Sequence, residues 1–67
     1  MNVDIRTHIK ENFKNSSKEE IKDSIVAGIA ANEEITLPGL GVFFEILWMN
    51  SDEQGHEYIL DTLKKGL

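Results

Sequence analysis

Hydrophobic residues recur along this chain with the spacing of an α-helix in three separate segments. Side chains four positions apart lie on one face of a helix, so each recurrence defines an apolar stripe. The stripes consist of Ile5, Ile9 and Phe13; of Ile21, Ile25 and Ile29; and of Tyr58, Ile59, Leu60, Leu63 and Leu67. Polar and charged residues fill the intervening positions. The pattern therefore predicts three amphipathic helices, over residues 3–13, 17–32 and 51–67.

Capping residues support the limits of the second and third of these helices. Ser17 and Glu20 form the S-x-x-E pattern of a capping box, in which each side chain bonds the other residue's backbone amide. Asn32 tolerates the left-handed conformation that often ends a helix. Ser51 and Gln54 repeat the capping pattern before the C-terminal stripe. We expect Ser17 and Ser51 to be the N-caps of their helices.

The segment LPGLGVFFEILWMN, residues 37–50, has two interpretations. As a strand over residues 40–49 it would be apolar on both faces and would pair with residues 34–37, but a lone strand pair is marginal in water. As a helix it presents a complete apolar face of Leu40, Phe43, Phe44, Leu47 and Trp48. Pro38 suits the first helical position, and we expect Leu37 before it to lie outside the helical region.

The three flanking helices favour the helical interpretation, because together they can cover a central apolar helix. The fold class predicted is therefore all-α: one small four-helix domain over residues 1–67 with a buried third helix. The covering helices are short, so a flank of the third helix can remain open. That flank is a predicted self-association surface, through which the chain would form a homodimer, and its members are Val42, Ile46, Trp48 and Met49.

Composition narrows the classes of protein to which the chain can belong. It has 67 residues, a net charge of −5 and no cysteine, so disulfides and thiolate metal sites are excluded. Residues 33–67 carry the whole excess of acid. No apolar run reaches the roughly 18 residues of a membrane span, and the N-terminus lacks the pattern of a secretory signal. We expect a soluble, unexported, cytoplasmic protein with no membrane partner.

Candidate chemistry is sparse. Arg6, Lys10 and Lys14 form a basic stripe at intervals of four, which would suit an anionic partner such as nucleic acid. The interpretation we favour is a solvated face balanced by nearby glutamates, since the acidic chain makes a nucleic-acid partner unexpected. His8 and His56 are interpreted as surface or edge histidines, because neither has a nucleophile in a recognised arrangement. We predict no catalytic residue, no metal site and no cofactor.

A resemblance to a known family predicts a biological role, which the hydrophobic pattern cannot do. The stretch NSSKEEIKDSIVAGIAANEEITLPGLGVFFEILWMNSDEQ, residues 15–54, together with the C-terminal LKKGL, resembles the small acid-soluble spore protein I family. The resemblance covers nearly the whole chain, and residues 37–54 are its most distinctive part. It implies a minor, non-enzymatic protein made in the forespore during sporulation and stored in the spore core. The family has no defined molecular activity, so we expect action through packing or association with a spore-core protein.

Part of the chain also has a weaker resemblance to a different family. Residues 17–45, SKEEIKDSIVAGIAANEEITLPGLGVFFE, are similar to the N-terminal part of the histone-like HU proteins, where a helix precedes a strand and the protein dimerises. That resemblance implies a strand at residues 40–49 and weak DNA association through Arg6, Lys10 and Lys14. The basic DNA-gripping arms of HU have no counterpart in this sequence, so HU-like binding remains the alternative.

Overall fold

A computed structural model describes residues 4–67, and within them the chain forms four α-helices and one 3₁₀ turn. The helices are α1 (Ile5–Phe13), α2 (Lys18–Ala31), α3 (Leu37–Met49) and α4 (Glu53–Gly66), and the 3₁₀ turn is Glu34–Thr36. No strand occurs in residues 4–67, which confirms the all-α prediction. The start predicted for the first helix, at residue 3, lies outside the described residues. None of the four helices combines the length and apolarity needed to cross a bilayer.

The predicted capping box of α2 is confirmed. The amide of Glu20 donates to Ser17 Oγ over 3.2 Å, and the amide of Ser17 donates to Glu20 Oε1 over 3.3 Å. Asn32 adopts the left-handed conformation, with φ of 51°, and ends the helix as predicted. At the start of α1, Asp4 is the N-cap and accepts from the amide of Thr7. These ends form from neighbouring residues, without help from the rest of the fold.

The prediction that Ser51 caps the last helix is wrong by one residue. Asp52 is the N-cap of α4, and its Oδ1 accepts from the amide of Gly55 over 2.8 Å. The Ser51 hydroxyl instead donates to the carbonyl of Leu47 over 2.6 Å. The last carbonyls of α3 lack helical partners, so they compete for nearby donors. The side chain of Asn50 also donates to the carbonyl of Ile46, which already accepts from the Asn50 backbone amide.

Residues 37–49 are helical, so the helical interpretation is confirmed and the strand interpretation, with residues 34–37 as its neighbour, is wrong. The expectation that Leu37 lies outside the helical region is also wrong, since its φ and ψ are −63° and −39°. The amide of Leu37 donates to the carbonyl of Glu34. The 3₁₀ turn therefore leads directly into α3, and its hydrogen bond offsets the steric preference against helix before Pro38.

Helix α3 is central in the fold, although it is not enclosed on all sides. It contacts α1 and α2, and its Trp48 stacks on His56 of α4. Val42 in α3 and Ile59 in α4 are the apolar residues that are buried among those described. By contrast, Phe44, Leu47 and Met49 are exposed. A single chain thus leaves one face of its most apolar helix open to water.

Candidate functional site

The open face of α3 is the floor and one wall of a groove of about 690 Å³. Helices α1 and α2 supply the remaining walls. The apolar residues that line this groove are Ile9, Phe13, Ile21, Ile25, Leu40, Phe43, Phe44, Ile46, Leu47 and Met49. Four polar residues also border it: Lys10, Lys14, Glu45 and Asn50. We refer to this feature as the apolar groove.

Small residues bring the walls of the apolar groove together. Gly39 of α3 lies against α1, where Ile9 Cδ1 is 3.6 Å from the position that a Cβ on Gly39 would occupy. Gly28 of α2 lies against Leu40 of α3 at a similar distance. Phe13 and Phe43 meet edge to face, with ring centroids 5.0 Å apart. Close backbone approach and one aromatic pair therefore hold α1 and α2 against α3.

An ion pair ties α1 to α3. Arg6 Nε lies 2.6 Å from Glu45 Oε1, and Arg6 Nη2 donates to Glu45 Oε2 over 2.9 Å. This two-bond geometry matches the planar guanidinium to the carboxylate. The hydrogen bonds from Arg6 lower the pKa of Glu45, and those to Glu45 raise the pKa of Arg6. Both side chains are exposed, so the pair positions the helices more than it stabilises them.

The predicted anion-binding stripe lies on the exposed surface of α1, but two of its three members already have carboxylate partners. Arg6 pairs with Glu45, and Lys14 Nζ lies 3.2 Å from Glu11. Lys10 and Lys14 border the apolar groove. The stripe therefore accompanies an apolar surface and does not form a separate basic patch. Anion binding by Arg6, Lys10 and Lys14 stays a prediction.

The four residues predicted as a self-association surface differ in their exposure. Val42 is buried at 8% exposure, Ile46 and Trp48 are half-buried, and Met49 is 74% exposed. Ile46 and Met49 line the apolar groove. Sequence reasoning missed Phe44 and Leu47 as surface residues, because the periodicity assigned them to the covered face of α3. Self-association stays a prediction, with its accessible part at the groove.

The polar residues that surround His56 in the sequence gave no sign that its ring packs against another helix. Its ring lies flat on the Trp48 indole, with centroids 3.8 Å apart and an interplanar angle of 5°. Its Nε2 donates to the carbonyl of Trp48 over 2.8 Å. His56 is half-buried, so it is an edge histidine that joins α4 to α3. The spacing in the sequence does not reveal this contact, because Trp48 and His56 lie in different helices.

The arrangement suits binding of an apolar surface. Ten of the fourteen residues around the groove are apolar. Within residues 4–67, no three His, Asp or Glu side chains are grouped so as to hold a metal ion. Over residues 4–67 the chain therefore has the structure of a small, all-helical protein with an open apolar groove.

The chain belongs to the small, acid-soluble spore protein I family, whose profile matches residues 3–67. Curated relatives of that description span its full length. Those from Bacillus cytotoxicus and Bacillus cereus (strain G9842) are each 39% identical over 67 residues, covering 96% and 97% of the relatives' own lengths. One from Geobacillus sp. (strain WCH70) is 42% identical, covering 94% of its length.

These matches confirm the family predicted from the sequence and place the protein among sporulation proteins of the spore. No solved structure matches the chain significantly. The weaker HU-like resemblance gains no support, because the strand it implies at residues 40–49 is a helix.

Proposed function

We propose that this spore protein acts without catalysis, by binding another protein surface in its apolar groove. It is made in the forespore and stored in the spore core, and its role there is packing or protein association. The observation that carries the proposal is the groove of about 690 Å³ with ten apolar residues around it. Water contact with such a surface is unfavourable, at roughly 25 cal/mol for each Å² of apolar area.

The small core of the chain supports the same proposal. Short chains without disulfides or metals often gain stability from a partner, because they bury too little apolar surface alone. Here Val42 and Ile59 are the buried hydrophobic residues among those described. A protein bound in the groove would cover Phe44, Leu47 and Met49, and so extend this core.

DNA association is the alternative, and no observation favours it. Binding to phosphates requires free, clustered basic side chains, and each contact makes the affinity more dependent on salt. Arg6 is engaged with Glu45, Lys14 lies beside Glu11, and the chain has a net charge of −5. A surface of this kind attracts phosphates weakly.

Site-specific photo-crosslinking in spores tests the proposal. A photoreactive phenylalanine derivative replaces Leu47 at the groove edge, and in a matched control it replaces Ile35. Ile35 is 82% exposed and lies outside the groove. We expect adducts of defined mass from position 47 and none from position 35, with each component identified by peptide mass spectrometry. Equal labelling at both positions, or no adduct at position 47, would contradict the proposal.

A mobility-shift titration over a range of salt concentrations tests the DNA alternative. We expect no tight complex between the purified chain and duplex DNA. Tight binding that weakens steeply with salt, and disappears when Lys10 and Lys14 are changed to Glu, would replace association with nucleic-acid binding as the function.

A further inference from the structure

We propose that the protein bound in the apolar groove is a second copy of this chain. In the resulting homodimer, the exposed edge of α3 from each copy lies in the groove of the other. This inference rests on the proposed function and identifies the protein that binds in the apolar groove. It is supported by the surface area of the single chain and by the position of the exposed hydrophobic residues.

The single chain exposes more surface than a compact monomer of its mass. Its accessible surface is 5933 Å², for a mass of 7.6 kDa. The scaling for folded monomers gives about 4,300 Å², so the excess is on the order of 1,600 Å². Full exposure of the three residues outside the described range would account for only about 500 Å² of that excess.

The remaining excess, about 1,100 Å², matches what a stable homodimer buries. Obligate homodimers bury about 2,000 Å² or more in total, which is about 1,000 Å² from each copy. The radius of gyration agrees, since it is 13.0 Å. A compact domain of this length would have about 11 Å. Both values exceed those of a compact monomer, as expected of a subunit that buries surface against a second copy.

The exposed hydrophobic residues of α3 stand where such an interface requires them. Phe44, Leu47 and Met49 line the groove and are also exposed, with Leu47 at 50% and Met49 at 74%. In a two-fold interface the same patch serves both copies, so the exposed residues of the patch must be accessible to the partner. These three side chains meet this condition, because they line the groove and are exposed in the single chain.

The net charge of the chain predicts different salt dependences for binding of a second copy and for binding of an anionic partner. Two chains of net charge −5 repel each other, so the association must come from apolar burial. Salt screens that repulsion. The dimer is therefore expected to hold or tighten as salt increases, whereas an anion bound by Lys10 and Lys14 would dissociate.

Sedimentation equilibrium of the purified full-length chain tests the inference. We expect a mass of twice 7.6 kDa at micromolar concentration, retained at high salt. Leu47→Lys should weaken the dimer at least about tenfold, which corresponds to 1.4 kcal/mol. Ile35→Lys makes the same charge change outside the groove and should leave the mass unchanged. Far-UV circular dichroism checks that each variant is folded, and Met49→Lys replaces Leu47→Lys if the latter unfolds.

Each result has a defined consequence. A monomer at every concentration overturns the inference, and so does a dimer that persists in folded Leu47→Lys and Met49→Lys variants. If the purified chain is a monomer while position 47 crosslinks to a different, identified protein in spores, the proposed function stands and the second copy is wrong. If the chain is a monomer and position 47 yields no adduct, both proposals fail.

Discussion

Two regions of α3, the one that faces α4 and the one that faces α1 and α2, are packed very differently. Toward α4, the rings of Trp48 and His56 stack with their centroids 3.8 Å apart. Toward α1 and α2, the groove of about 690 Å³ remains open. Apolar character alone therefore does not close a surface. Closure requires side chains of matching shape on the opposite element. The rings of Trp48 and His56 meet this condition, whereas the residues of α1 and α2 around the groove leave a space open to water.

Removal of the aromatic stack should have the largest effect on stability. Trp48→Ala eliminates the contact with His56 and leaves a void between α3 and α4. We expect the free energy of unfolding to fall by about 3 kcal/mol, at the lower end of the range for buried aromatic residues because Trp48 is half-buried. Urea denaturation followed by circular dichroism measures the change.

Tyr58→Ala is the matched control for this prediction, since Tyr58 is an exposed aromatic residue of α4. Replacing the Tyr58 side chain should lower the free energy of unfolding by less than about 0.5 kcal/mol. Equal costs for the two substitutions would show that the closed side of α3 contributes no more than an ordinary surface.

The same substitution at two glycines should change the free energy of unfolding in opposite directions. In Gly55→Ala the added methyl group would collide with Ser51 Cβ at 2.9 Å, and we expect a loss of about 2 kcal/mol in unfolding free energy. In Gly28→Ala the nearest atom, Leu40 Cδ2, is 3.6 Å away, an ordinary contact distance. Helix propensity then dominates, and we expect a gain of about 0.5 to 1 kcal/mol.

Thermal denaturation of both variants under identical conditions tests this pair of predictions. The comparison is internally controlled, because the chemical change is the same and both glycines are in helices. A stabilised Gly55→Ala protein would contradict the close contact inferred between Gly55 and Ser51 at the start of α4.

The cap of α4 should contribute a smaller amount. Asp52→Ala removes the acceptor for the amide of Gly55, and we expect a loss of about 1 kcal/mol. Gln54→Ala is the control, because a capping box started by Ser51 would require Gln54 and one started by Asp52 does not. Urea denaturation measures both variants. If Gln54→Ala lowers the free energy of unfolding as much as Asp52→Ala does, Ser51 and not Asp52 is the N-cap that stabilises α4.

The smallest effect concerns the ion pair beside the groove. Because Arg6 holds the pKa of Glu45 below its usual value of 4.5, the ionised pair stabilises the fold above about pH 4.5. That contribution disappears as the pH falls through the lowered pKa. We expect Arg6→Gln to return the pKa of Glu45 toward its usual value, as measured by NMR titration of the carboxyl carbon. Lys22→Gln removes the same charge from α2 and should leave that pKa unchanged.

Features formed between near neighbours were predictable from the sequence. The capping box of Ser17 and Glu20 and the end of α2 at Asn32 need only residues within a few positions, so the pattern of residue types was sufficient. The helical state of residues 38–49 was also predictable, since three flanking helices left no partner for a strand. The N-cap of α4 was not, because Ser51 is drawn to the unpaired carbonyl of Leu47 in the preceding helix.

The sequence by itself determined the helices, most of their ends and the family. Tertiary structure alone decided which apolar residues are covered, because helical periodicity defines a face but not what packs against it. Phe44 and Leu47 share their face of α3 with half-buried Phe43, yet the spacing of α1 and α2 leaves them exposed along a groove. The pairing of Trp48 with His56 likewise depends on how α4 folds back onto α3, since stacking requires two rings to meet in space.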